Sequence, residues 1–270
     1  MASSTTIPLP PRFSYPGVLR VIAIIGIFAL ISISLQGADI SPRAFIEGLP
    51  YMWDVLKDMF PPRVDRLPNI GVLLLDTFYM AVAGTTLGVL VSFPLAICAA
   101  RTTTPHGIVY QLARAGVSLA RTVPDLVWAL FFVVTVGIGA FAGVLTIAVD
   151  TLGFCGRFFA ESIEETERSP EEALRALGAG KIAILATYIL PSCTPSFINT
   201  ILFSLEKAVR SSVVLGLVGA GGIGVELKVA MDTFQYDEAC TIILAIFALV
   251  VVVEQISTRA RRALLEEPHS

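Results

Sequence analysis

Few side chains in this sequence are placed to do covalent chemistry. The histidines are His106 and His269, and no Ser-His-Asp set or metal-ligand cluster can be composed from them. Cys98, Cys155, Cys193 and Cys240 are far apart in apolar surroundings with no CxxC pair. They read as small buried hydrophobes, not as a disulfide or metal framework. Two phosphate-binding signatures occur by letter only. Gly219, Gly221 and Gly224 fit G-x-G-x-x-G, but that pattern means dinucleotide binding only between a buried strand and a helix in a βαβ unit. Here it follows an apolar run in a chain without strand–helix alternation. Gly178-Ala179-Gly180-Lys181 resembles the end of a phosphate loop, yet Arg175 stands at the first glycine position and Ile182 where Ser or Thr is needed. No catalytic, metal or nucleotide site is expected in this chain.

What remains is charge in two unusual settings. Residues 161–191 form a polar, helix-favouring island in which Glu164, Glu165, Glu167, Arg168, Glu171, Glu172, Arg175 and Lys181 supply much of the charge. Ser169-Pro170 can open a helix. Leu174 and Leu177 share a face at i,i+3, and Glu171 and Arg175 pair at i,i+4. Gly178 and Gly180 end that helix before a second one closes at Leu190-Pro191. Two short helices meeting at a glycine corner make a compact knob suited to docking into a cleft on a partner. The bland reading is a charged amphipathic helix on any surface. The second setting is Glu206, Lys207 and Arg210 within the otherwise apolar stretch 195–218. Ionisable groups at membrane depth usually face a bundle interior or a water-filled path. Glu206 and Arg210 are spaced to pair one turn apart, which would leave Lys207 unpaired and the span net positive, favourable to an anion. Simple locking of the helix by that pair competes with this reading. Asp150 and Arg157, two turns apart on one face, are expected to be a structural pair.

The elements that must position these residues are membrane spans. The 270 residues are 55% hydrophobic and 15% charged, where soluble domains carry about 25% charged residues. Mean hydropathy is +0.78. The sequence predicts an all-α polytopic bundle of about six transmembrane helices. Residues 1–17 read as a tail and 18–36 as an uncleaved first span, with a signal peptide as the competitor. Residues 37–70 read as an outer interfacial segment anchored by Tyr51 and Trp53. Residues 77–100 are a clear span. Between 124 and 160 two short spans are expected, broken near Ala140 by Gly137, Gly139 and Gly143. Residues 195–218 and 240–253 complete the six. The core is thus 71–258, with a basic tail, 259–270, that suits a cytoplasmic C-terminus, and arginines before the first span favour a cytoplasmic N-terminus.

Glu172-Ala173, Gly178 and Leu190-Pro191 resemble the EAA loop of permease subunits in binding-protein-dependent ABC importers. Leu174 stands where that family usually has a second alanine, and Tyr188 where isoleucine is commoner. By that resemblance Glu171, Glu172, Ala173, Leu174, Leu177 and Gly178 dock a dimer of ATP-binding cassette ATPases, which would hold the ATP and Mg. The strings at 122–130 and 209–224 are similar to the phosphonate-uptake branch. The resemblance implies a multi-pass protein of a bacterial cytoplasmic membrane, embedded in the lipid bilayer. Its other expected partners are a second permease subunit, identical or homologous, and an extracytoplasmic substrate-binding protein, and no nucleic acid. It also implies a path for a phosphonate or related phosphorus oxyanion, with Glu206, Lys207, Arg210, Ser211 and Ser212 as its candidate lining. Gly216, Gly219, Gly221, Gly222 and Gly224 are then a gate or a close-packing element. Importers of phosphate, phosphite or an amino acid, and more remotely a passive channel or membrane enzyme, are the alternatives.

Overall fold

A computed structural model describes residues 15–38 and 41–265. The Pro- and Ser-rich residues 1–14, residues 39–40 and residues 266–270 with His269 lie outside the described residues, while the first part of the expected basic tail, 259–265, continues the last helix. Among the described residues every regular element is helical, as the apolar runs with helix-favouring ends predict. The chain divides into two units after Lys57. The first holds α1 (Tyr15–Gly37) and most of α2 (Pro42–Asp58). Leu19, Ile22, Ile25 and Phe28 of α1 are all exposed. A helix apolar on every side is shaped for lipid, and the stretch Gly17–Gly37 is long enough to cross a bilayer. In α2, Tyr51 and Trp53 are exposed, with the Lys57 ammonium 5.7 Å from the Trp53 ring centre.

The second unit holds α3 (Leu67–Ala99), α4 (Gly107–Thr122), α5 (Asp125–Val136), α6 (Ala140–Glu164), α7 (Arg168–Ala176), α8 (Lys181–Ile184), a π-helical turn at Leu185–Ile189, then α9 (Leu190–Gly216), α10 (Ile223–Asp232) and α11 (Tyr236–Leu265). Its spine is the α3–α6 pair. A Cβ on Gly84 would come within 2.6 Å of Ile147 Cβ, and one on Gly88 within 2.5 Å of Thr151 Cβ. Ser92 Oγ donates to Gly88 O and also approaches the Leu152 carbonyl at 3.3 Å. Small residues four apart let the two backbones touch, which is the main source of helix association where no water drives it. The matched positions ascend together on both helices, so α3 and α6 run parallel.

Parallel neighbours require the connection between them to return the chain to its starting end. That connection is α4 and α5, bent by 92° at the break before Asp125. The bend has a local cause: Pro124 disfavours helix at the residue before it and removes a backbone donor. Two short spans between 124 and 160 were expected, and here the structure differs. The break does fall at Gly137–Gly139, but α5 has 12 residues, about 18 Å, too short for the roughly 30 Å of hydrocarbon. The crossing is made by α4 and α5 together, and α6 is a full span. Five helices are long and apolar enough to span, six with the bent pair counted as one. The six-span expectation therefore holds with its third span redrawn.

Candidate functional site

The knob is built from α7, a glycine corner and α8. Helix α7 ends at Leu177, and Gly178 follows with φ +85°. There the Gly178 N–H donates to Arg175 O at 2.9 Å and the Ala179 N–H to Leu174 O at 3.0 Å, the two bonds of a Schellman motif. A side chain at Gly178 would meet open space, so the glycine is needed for its backbone angle and not for room. The expected Glu171–Arg175 pair forms at 2.6 Å.

One face of the knob is fixed and the other is free. Leu174, Ala179, Leu185 and Tyr188 pack against Ala96, Ala99, Ala100, Phe159 and Ile163 at the ends of α3 and α6. Tyr188 Oη donates to the Glu167 carbonyl at 3.0 Å. Leu177 and Ile182 point away, 84% and 83% exposed, and Glu172 and Ala173 are exposed beside them. The shared face expected for Leu174 and Leu177 splits, because the helix stops at Leu177 and the corner turns that side chain outward.

Glu164 holds the base of the knob. Its carboxylate accepts from Arg114 Nη2 at 3.0 Å through each oxygen and from the Arg101 backbone N–H at 2.8 Å. Arg114 Nε also donates to Ala99 O at 2.9 Å, and the Arg101 and Arg114 guanidinium carbons lie 5.6 and 5.4 Å from the Tyr110 ring centre. The ends of α3 and α6 and the middle of α4 thus meet at one carboxylate. The sequence showed Glu164 only as one of several glutamates in a charged island, and nothing in its spacing singled it out.

The buried charges are paired differently from the expectation. Lys207 Nζ is 2.6 Å from Asp150 Oδ1 and 5.6 Å from the Phe154 ring centre, so it is not the unpaired cation. Glu206 pairs with Arg261 at 2.7 Å, not with Arg210. Arg157 pairs with Glu161 at 2.6 Å, not with Asp150. Arg210 is exposed, with no carboxylate within 4.0 Å among the described residues. Ser211 is half-buried, and Ser212 is buried with its hydroxyl on Val209 O at 2.7 Å. For Lys207 and Glu206, the packing of α6 and α11 against α9 brings a partner across helices within 2.6 and 2.7 Å, while Arg157 keeps the i,i+4 partner that its own helix offers in Glu161.

At the far end of the bundle the glycine run closes a second corner. Its carbonyl at Gly219 accepts from the Gly139 N–H at 3.0 Å, and the Ile223 N–H donates to Thr77 Oγ1 at 2.8 Å. A Cβ on Gly221 would lie 2.6 Å from Ala140 N, one on Gly216 2.6 Å from Gly224 Cα, and one on Gly224 2.0 Å from Val213 O. Gly219, Gly221 and Gly222 all have positive φ. The breaks at 137–139 and 217–222 are therefore locked into each other through glycine.

The parallel α3–α6 spine, the glycine-cornered knob and the broken helix pair have counterparts in known proteins. The family model described as binding-protein-dependent transport system inner membrane component matches residues 92–264. The chain belongs to that family. It is a transport permease subunit and not an enzyme. The Phosphate-import permease protein PhnE of Mycolicibacterium smegmatis is 40% identical over 238 residues, 88% of this chain, although the chain spans only 45% of that protein's length. The phosphite transport system permease protein PtxC of Stutzerimonas stutzeri is 38% identical over 217 residues, 80% of this chain and 79% of that one. Among solved structures, an inward-facing form of the MetNI methionine ABC transporter overlays with TM-score 0.59 at 25% identity, covering 79% of this chain and 97% of that one. The matched family region takes in both the knob and the glycine corner.

Proposed function

We propose that this permease carries a phosphorus oxyanion, in the phosphonate, phosphite and phosphate range, through an ATP-driven importer. The substrate class rests on the relatives named for phosphate and phosphite at 40% and 38% identity. Coupling rests on one observation above the others: a rigidly backed knob with apolar Leu177 and Ile182 almost fully exposed. Such a pair standing outside the bundle is what a partner's cleft would bury. The partner is an ATPase dimer that binds ATP and Mg, with Glu172 and Ala173 at the contact and Gly178 fixing its shape. A second permease, identical or homologous, completes the path, and an extracytoplasmic binding protein delivers substrate. With α1 as the first span, both termini are cytoplasmic and the knob is on the same side, in a bacterial inner membrane. Lys207 and Glu206 are neutralised by Asp150 and Arg261, so on α9 the pathway role passes to exposed Arg210 and Ser211.

Co-purification of the solubilised chain with its ATPase tests this reading. Glu172→Arg, Gly178→Asp and Leu177→Asp are each expected to abolish association. Glu172→Arg and Leu177→Asp should leave the permease's thermal transition within about 2 °C, because exposed positions contribute little stability, whereas Gly178→Asp should also lower it by straining the corner's positive φ. Unchanged association in all three would overturn the docking assignment. Competition of phosphonate, phosphite and phosphate against methionine for uptake tests the substrate class, and uptake of methionine alone would overturn it.

A further inference from the structure

The inner half of the bundle holds a second basic site that the sequence did not single out. Between α4 and α6 lies a cavity of about 150 Å³ lined by Arg114, Ser118, Arg121, Arg157, Gly156 and Ala160, among others. At roughly 30 Å³ per water it has room for about five waters. Three arginines face it, against two carboxylates that bind them. Arg114 holds Glu164, and Arg157 holds Glu161 through Nε. Arg121 has no hydrogen-bond or ion-pair partner among the described residues, so the five donors of its guanidinium are uncommitted. The balance is one net positive charge. Space for Arg121 comes from Gly153, where a Cβ would fall 2.7 Å from Arg121 Cγ.

We propose that Arg121 and Arg157, with the Ser118 hydroxyl, bind a tetrahedral phosphorus oxyanion in this cavity. Guanidinium forks match two oxygens of such a group bidentately, which an ammonium cannot do. Gly156 and Ala160 line the same cavity and bring no carboxylate to compete for the guanidinium groups. Two sources share this chemistry: the transported anion leaving the path, and the headgroup of an acidic phospholipid in the inner leaflet. The free-anion source rests on the substrate class proposed above, and the lipid source does not.

The test uses the full chain in lipid nanodiscs, wild type and with Arg121→Gln, Arg157→Gln and Arg121→Lys. Methylphosphonate binding is followed by calorimetry in neutral phosphatidylcholine discs, and phosphatidylglycerol retention by native mass spectrometry in mixed discs. Each glutamine variant is expected to weaken one of the two probes by roughly ten- to a hundredfold, the range for a lost hydrogen bond to a charged group. Arg121→Lys should recover part of that loss, because the charge returns without the fork. Loss of methylphosphonate binding assigns the site to the free anion, and loss of phosphatidylglycerol alone assigns it to lipid. Equal binding of both probes by wild type and Arg121→Gln would overturn the site. Uptake of labelled methylphosphonate by the complete wild-type transporter separates the two claims: no uptake sinks the substrate class, while the phosphatidylglycerol arm still decides the cavity.

Discussion

Removing the Glu164 carboxylate should loosen three helices at once. In Glu164→Ala, Arg114 loses both of its 3.0 Å contacts and the Arg101 N–H loses its 2.8 Å acceptor. Hydrogen bonds to charged groups contribute about 1.5–3 kcal/mol each when buried. The Arg114 and Glu164 side chains are 33% and 25% exposed, so solvent screening brings the combined loss down to about 2 kcal/mol. For a chain of this size that is about 4–8 °C in the thermal transition. The assay is the melting of detergent-solubilised protein in a double-mutant cycle with Arg114→Met. Arg114→Met should cost a similar amount, and the double variant should cost little more than either single one, a coupling of about 1–2 kcal/mol. Additive effects, or a shift under 1 °C in Glu164→Ala, would refute the idea that this carboxylate ties α3, α4 and α6 together.

Two further outcomes follow from the packing. Gly224→Ala places a Cβ 2.0 Å from the Val213 carbonyl, and backbone on both sides leaves nothing to move. It should melt at least about 5 °C lower, whereas Gly180→Ala, with open space around it, should melt within about 1 °C of wild type. For the pair of Lys207 and Asp150, the Lys207 side chain is 34% exposed, so Asp150→Asn alone should destabilise by about 1–2 kcal/mol after solvent screening, by taking the partner from a part-buried ammonium. The double change Asp150→Asn with Lys207→Met should recover most of that loss. A double variant less stable than the single one, in the same melting assay, would show that the pair is more than mutual neutralisation.

The sequence makes visible whatever is encoded within one or two helical turns. Glu171 and Arg175 pair as their spacing predicts, the corner forms at Gly178, and the bundle breaks at Gly137–Gly139. What it hides is which helix lies opposite. Lys207 finds Asp150 57 residues away and Arg261 finds Glu206 55 residues away, and no periodicity carries that information. Two local signals do bear on the packing. Gly84 and Gly88 are four apart on one face, the spacing that lets α3 meet α6. Pro124 marks the 92° bend that divides the third crossing. Glu164 carries no such mark, because its role comes from the arginine of a helix fifty residues away.

These contacts also restrict how the bundle can move. At the knob's end, α3, α4 and α6 are joined by Glu164 and by the apolar cluster beneath α7 and α8. At the opposite end Arg66 binds Glu226 and Glu238, and Arg63 binds Asp237 at 3.1 Å, fixing the start of α3 to α10 and α11. Between them α3 and α6 touch backbone to backbone through glycine, with no soft side chains to absorb a relative slide. A pull on the knob therefore moves α3 and α6 as one body. The weaker seam lies along α9, which leaves the knob through a π-helical turn at Leu185–Ile189. In its middle part α9 joins its neighbours through polar pairs, Lys207 to Asp150 and Glu206 to Arg261, beside the buried Ala208 and Val209. Ion pairs can be exchanged for other partners or for water at a cost of a few kcal/mol, whereas interlocked glycine backbones cannot. An inward–outward transition of this permease must then rework the α6–α9–α11 pairs and leave the α3–α6 spine intact. A disulfide joining α3 to α6 should permit transport, and one joining α6 to α9 near Asp150 should arrest it.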